Sequence, residues 1–279
     1  MTPPAKTLLS DQLVEGSTAR FLDFRWSLWS HKAHAGKATG ASNKRSTHQR
    51  RRMARAEWVM QQWTKVCRDV DVTAALTEKW GELIRTKYSE QGRHYHTLDH
   101  LADMLEGAER DFDGLQNPSL VRLAIFFHDL VYDPKSVTNE EDSEVLFRRF
   151  SEVTGLSELQ SKTVSEYIIA TKRHDVSDSD DADLRAFIDL DMAVIGRERP
   201  GYLKYALQIR SEYLHVPEEI FRQKRAEILR EFLTTRHIYA TDQYRRDREA
   251  RARANIEGEI ALLDAGDLSE LERQSEAPS

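Results

Sequence analysis

Helix punctuation runs through the chain from Ala56 onward, and almost nothing that marks strands accompanies it. Trp58, Met60, Trp63, Val66 and Cys67 recur at helical spacing, as do Leu76, Trp80, Leu83 and Ile84. Asn117-Pro118 places a cap before a proline at the first helical position, opening a helix through Leu120, Leu123, Ile125, Phe126 and Phe127. Thr138–Glu141 and Ser157–Gln160 both fit a capping box, Gly155 and Gly196 stand where helix C-caps belong, and Pro217 starts a further helix. Only 12 Gly and 7 Pro occur in 279 residues, few for an all-β chain that must turn every ~10 residues. No alternating strand and no internal repeat is visible. The reading is an all-α fold: a single bundle of about nine helices over residues 56–265, with tails at 1–55 and 266–279.

Composition removes several classes. The one cysteine, Cys67, excludes an internal disulfide framework and fits a reducing, cytoplasmic setting. No run approaches the ~18 apolar residues of a membrane span, and no apolar block follows a basic start as in a secretory signal. The formal charge of −6 is unevenly spread: residues 1–55 hold 11 Lys+Arg against 3 Asp+Glu, leaving 30 against 44 for the rest. His31–Arg55 has no acidic residue and few large apolar ones, so it reads as a flexible basic extension offering at most a weak nucleic-acid contact. Upstream, Phe21, Phe24, Trp26 and Trp29 have the makings of a short docking helix.

Histidine placement carries the chemistry. His94, His96, His100, His128 and His174 fall outside the basic extension. His128-Asp129 ends the apolar run Leu123–Phe127, so an imidazole and a carboxylate stand at the inner end of a buried helix. Burying both without partners costs several kcal/mol, and a metal ion satisfies them together. A second polar pair in an apolar frame is Asp189-Leu190-Asp191. Two aspartates two apart on a helix point about 200° away from each other, so one at most faces a given site. His96 and His100, four apart, would share one helix face.

The ordered set His96, His128-Asp129 and Asp191 resembles the H…HD…D pattern of the HD-domain superfamily of metal-dependent phosphohydrolases. The strings YHTLDH, AIFFHDLVYDP, NEEDSE, ATKRH, IDLDMAVIG and IRSEY look like its predicted-phosphohydrolase branch, over about residues 56–262. The resemblance implies metal ligation by His96, His128, Asp129 and one of Asp189 and Asp191, with Asp191 preferred. It also implies a phosphate contact at Arg93, three residues before His96. Two imidazoles and two carboxylates suit Mn²⁺, Fe²⁺, Co²⁺, Ni²⁺ or Mg²⁺ better than a closed zinc site, and leave positions for water and a phosphate oxygen. The expected activity is hydrolysis of a phosphate ester or anhydride of a small metabolite, foremost a nucleotide, by metal-activated water.

Further candidates are His100 and His174 as catalytic groups, and Glu140 as a proton carrier, with Glu141 left to cap. Arg210 and Tyr213 on a late helix, with Glu212 between them, are candidates for substrate contact. Trp58, Trp63 and Trp80 read as core. No phosphate-binding glycine loop, nucleophile elbow or C-x-x-C is present. An HD-fold di-iron oxygenase is the alternative, but only His174 lies between Asp129 and Asp189, one histidine short of its six-ligand set; the same shortage weighs against a cyclic-dinucleotide phosphodiesterase. A stand-alone alarmone-type hydrolase and a silent binding module are the other options. Partners beyond a phosphorylated small molecule are not called for, and a homo-oligomer is compatible with the sequence.

Overall fold

Because α4 (Pro118–Phe127) is apolar apart from Ser119 and Arg122, it needs a shell of other helices around it. In the computed structural model, which describes residues 42–176 and 179–275, that shell is built from α1 (Ser42–Asp69), α3 (Leu98–Asp111), α5 (Asn139–Thr154), α6 (Glu158–Ala170) and α7 (Ala182–Met192), all packed against α4. α2 (Ala74–Lys87) lies along α1. Trp63, Trp80, Phe126, Phe127, Phe147 and Phe150 interlock in edge-to-face and tilted pairs where these helices meet. Each such ring, taken out of water, contributes ~1.5–3 kcal/mol.

After a 3₁₀ turn at Ala193–Gly196, α8 (Arg199–Glu212), α9 (Glu218–Thr234), α10 (Asp242–Ala265) and α11 (Leu268–Ser275) complete the molecule. The described residues are helical with no strand, as the punctuation predicts. Among them no helix is long and apolar enough to cross a membrane.

Most boundaries follow the sequence. Ser157 and Gln160 form a reciprocal capping box, and Gly155 ends α5 with φ +75°. Four expectations change. α1 begins at Ser42 rather than Ala56, and Arg55 reaches across to Asp103 and Glu106 of α3. Residues 268–275, read as tail, form α11, which buries Leu271 and packs on α8. Thr138 makes no capping bond; its hydroxyl goes to Asp142, while Glu141 pairs with Lys172. Gly196 lies within the 3₁₀ turn, where a Cβ would come within 2.6 Å of the Tyr239 hydroxyl, so it is small for packing rather than for a left-handed cap. The Phe21–Trp29 segment lies outside the described residues.

Candidate metal centre

The C-terminal end of α4 delivers His128, and the turn that follows delivers Asp129. The His128 Nδ1 lies 2.9 Å from the Ile125 carbonyl, which can only accept, so Nδ1 carries the proton and Nε2 is left for the interior. The first turn of α3 brings His100 Nε2 to 3.2 Å from His128 Nε2. From α7, Asp191 sets Oδ1 3.1 Å from His100 Nε2 and 3.7 Å from His128 Nε2. Asp129 Oδ2 sits 2.9 Å from His128 Nε2 and 3.8 Å from His100 Nε2. These separations are those of atoms sharing one ion at bonds of ~2.0–2.3 Å. His100, His128 and Asp129 together form a buried group able to hold a metal ion.

The electrostatics point the same way. Burial alone would lower the His128 imidazole, but Asp129 and Asp191 outweigh it and lift it to about 9. Burial also opposes ionisation of Asp129 and Asp191, yet the surrounding imidazoles hold both carboxyls well below the usual range. Without metal, therefore, the two carboxylates favour the protonated form of His128. A divalent ion meets the same need with more charge, and the donor set fits one.

His96 is placed differently from its sequence expectation. It lies in the loop before α3, whose N-cap is Thr97, so it does not share a helical face with His100. Its Nδ1 is 2.8 Å from Glu212 Oε2. Glu212 Oε1 also accepts from the backbone N–H groups of His94, Tyr95 and His96 at 2.7, 2.7 and 3.1 Å, and Tyr132 donates to Oε2 at 2.8 Å. Glu212 thus fills a cradle of main-chain donors with the protein's own anion. Burial works against the Glu212 charge, but His96 and the backbone donors draw its carboxyl down to about 2. An ionised carboxylate only accepts, so the His96 Nδ1 carries a proton toward Glu212.

His96, His174, Asp129 and Asp191 line a cavity of about 20 Å³, walled by Tyr95 and Tyr205. His174 reaches it from the turn after α6, with Nε2 2.8 Å from Asp191 Oδ2 and a backbone φ of +53°. A side chain held in the left-handed region costs of order 1 kcal/mol and is characteristic of functional positions. Glu140 is buried on α5; burial and the nearby Asp129 push its carboxyl up, and Lys172 approaches to 4.0 Å. A wider groove of about 740 Å³ between α1 and α2 contains none of these groups.

Four expected site residues have their partners elsewhere in the structure. Asp189 faces away from the cluster: its oxygens take the backbone N–H of Ala240 and Thr241 at 2.6 and 2.8 Å, anchoring the start of α10. Arg93 donates to the carbonyls of His96, Asp129 and Leu130 at 3.3, 2.7 and 3.0 Å, so it shapes the loops that carry His96 and Asp129 rather than meeting substrate. Arg210 donates to the Tyr213 and Val216 carbonyls and lies over Phe221, while buried Tyr213 stacks near His215, so both belong to the turn after α8.

Sequence reasoning passed over Glu212 as part of a substrate helix and did not weigh Tyr132 or Lys172. The available signal for Glu212 was an acid inside a half-apolar helix, Tyr205–Tyr213. No protein-family model, curated protein or solved structure matches the chain.

Proposed function

We propose that this chain is a metal-dependent phosphohydrolase of the HD-domain type, acting on a small phosphorylated metabolite and foremost a nucleotide. The observation that carries the reading is the buried group of His100, His128 and Asp129, which could hold a metal ion, with Asp191 Oδ1 3.1 Å from His100 Nε2 and 3.7 Å from His128 Nε2. These four residues would hold the ion. Such an ion, when bound, neutralises phosphate charge and acidifies water. Around it the protein supplies orientation: Glu212 fixes His96, Asp191 fixes His174, and both imidazoles face the small cavity as proton carriers for the leaving oxygen. That cavity admits about one water-sized group, so the remainder of the substrate lies outside it.

The test is metal removal and reconstitution. A chelated preparation should be inactive on nucleoside mono-, di- and triphosphates and model phosphate esters, and Mn²⁺, Co²⁺ or Ni²⁺ should restore turnover. His128→Ala and Asp129→Ala should lose both metal and turnover. Metal affinity should climb about tenfold per pH unit up to about pH 9, because the ion displaces the His128 proton. Undiminished turnover in metal-free protein would overturn the reading.

A second reading, two ions sharing Asp191, is favoured by the split use of that carboxylate: Oδ1 faces His100 and Oδ2 faces His174. In this reading the one histidine missing from a six-ligand set would be supplied by His100, beside His128 and Asp191. A metal-to-protein ratio of two rather than one would select this reading.

A further inference from the structure

A second cavity, of about 330 Å³, lies between α3, the 3₁₀ turn and α10, and His100 forms part of its wall. It is larger than the one facing His96 and His174, and within the size range of small-ligand sites. Its cationic lining consists entirely of arginines: Arg110, Arg197, Arg248 and Arg251. Each head is fixed by an acid. Arg110 is bidentate on Asp111 at 2.7 Å, Arg248 meets the same carboxylate at 3.2 Å, Arg197 pairs with Asp103, and Arg251 with Glu198. These pairs occupy only part of each guanidinium's five donors and hold the rest in place. Because Asp103, Glu106 and Glu198 share the wall, the lining has a surplus of one positive charge, which suits a compact anion held by directed N–H groups.

The decisive feature is His100 itself. It is 2% exposed, and its Nε2 is engaged by Asp191 and His128, so Nδ1 is its remaining polar atom. That buried Nδ1 has no partner, and neither does Arg251 Nε in the same wall. A metal-ligating imidazole almost always donates its second N–H to an acceptor that raises its basicity, and losing that acceptor typically costs 10–100-fold in metal affinity. Among the described residues none supplies an acceptor to His100 Nδ1, and an arginine-walled cavity lies beside His100.

We infer that this cavity binds a small phosphate-type polyanion through its arginines, and that once Nε2 is on the metal the His100 Nδ1–H donates to it, so that anion and metal each strengthen the binding of the other. The coupling rests on the reading of the His/Asp cluster as a metal centre; the anion site does not. Reciprocity is required thermodynamically: whatever factor the anion adds to metal affinity, the metal adds to anion affinity.

Inorganic phosphate and pyrophosphate would be titrated calorimetrically into the metal-free full chain, and Mn²⁺ affinity measured with and without each. Pyrophosphate should bind the metal-free protein and raise Mn²⁺ affinity by about tenfold or more. Arg110→Ala combined with Arg251→Ala removes two of the more exposed heads, so folding should survive, as the melting temperature would verify. That variant should lose anion binding and the enhancement while keeping the Mn²⁺ affinity seen without anion. Arg248→Lys should retain the charge but weaken binding through loss of the planar fork. Failure of both anions to bind the metal-free protein would overturn the site. An enhancement that persists in the double variant would place the anion on the metal instead, and would overturn it equally. Pyrophosphate binding with no Mn²⁺ affinity would overturn the coupling and the metal centre together, while leaving the anion site supported.

Discussion

Two of the places where the described residues bury charge are built on opposite terms. Between α8, α9 and α10, Arg225 meets Glu259 through Nε at 2.9 Å and Nη2 at 3.3 Å, and the Tyr202 hydroxyl donates to the same carboxylate. That set contains its own cation and its own anion, and it closes on itself. Between α3, α4 and α7, two imidazole nitrogens stand 3.2 Å apart beside two carboxylates. Nothing there supplies a fixed positive charge, so the cluster needs a proton or a metal ion to be satisfied. The comparison distinguishes a structural ion pair from a binding site by what each leaves unmet.

The largest effects should come from breaking each cluster singly. Arg225→Met leaves Glu259 buried and uncompensated, and should cost ~3–5 kcal/mol of unfolding free energy while leaving metal affinity intact. Asp191→Asn should lose metal binding and cost the metal-free protein less than Arg225→Met does, because Asn keeps the volume and a hydrogen-bonding partner for His100 and His174. Denaturant melts paired with metal titrations would measure both. If Asp191→Asn destabilises as much as Arg225→Met, the second cluster is structural after all.

Next in size is the response to acid. Glu212 has its carboxyl held near 2 in the folded chain against an ordinary 4.5, so its contribution is fully present above about pH 4.5 and is lost as the pH falls toward 2. By linkage this amounts to about 3 kcal/mol. Glu212→Gln should flatten that part of the stability-versus-pH curve and lower metal-dependent turnover by ~10–100-fold through a misoriented His96. An unchanged acid limb in the variant would remove Glu212 from its assigned place.

The smallest effect concerns charge at the surface. Arg55 pairs with Asp103 and Glu106 while its side chain is 28% exposed. Arg55→Ala should cost no more than ~1 kcal/mol, and added salt should shrink the difference. A larger loss would mean that the first turns of α1 are integral to the bundle.

What could be read from the sequence follows what is local. Helical periodicity, the Ser157 box and the Gly155 cap depend on neighbours within a few residues, and the structure has them. The Asp189/Asp191 pair was legible as a geometric statement, two side chains on opposite faces, but which one turns inward depends on the start of α10 some fifty residues later. His96 and His100 looked equivalent because their spacing is helical; the helix starts between them, and a loop geometry set from α8 decides their different places. The basic run before Ala56 lacks core-forming residues, yet extending a helix already nucleated at Trp58–Cys67 costs little, and Arg52 and Arg55 find acids on α3. Arginines misled most, since a guanidinium that caps carbonyls and one that meets phosphate look alike in a string of letters.

The tether between Glu212 and the His94–His96 loop spans 116 positions of sequence to His96. A growing chain therefore reaches the end of α8 well after its histidines have been synthesised. Until then the loop has no internal anion to organise its backbone, and His96 has no fixed tautomer. The α1–α7 shell can collapse around α4 early, but the site is finished last, on a contact of high loop-closure entropy. A fragment ending before Glu212 should be largely helical and yet unable to present His96. Such an order of assembly leaves the His100, His128, Asp129 and Asp191 cluster formed while His96 still waits for Glu212.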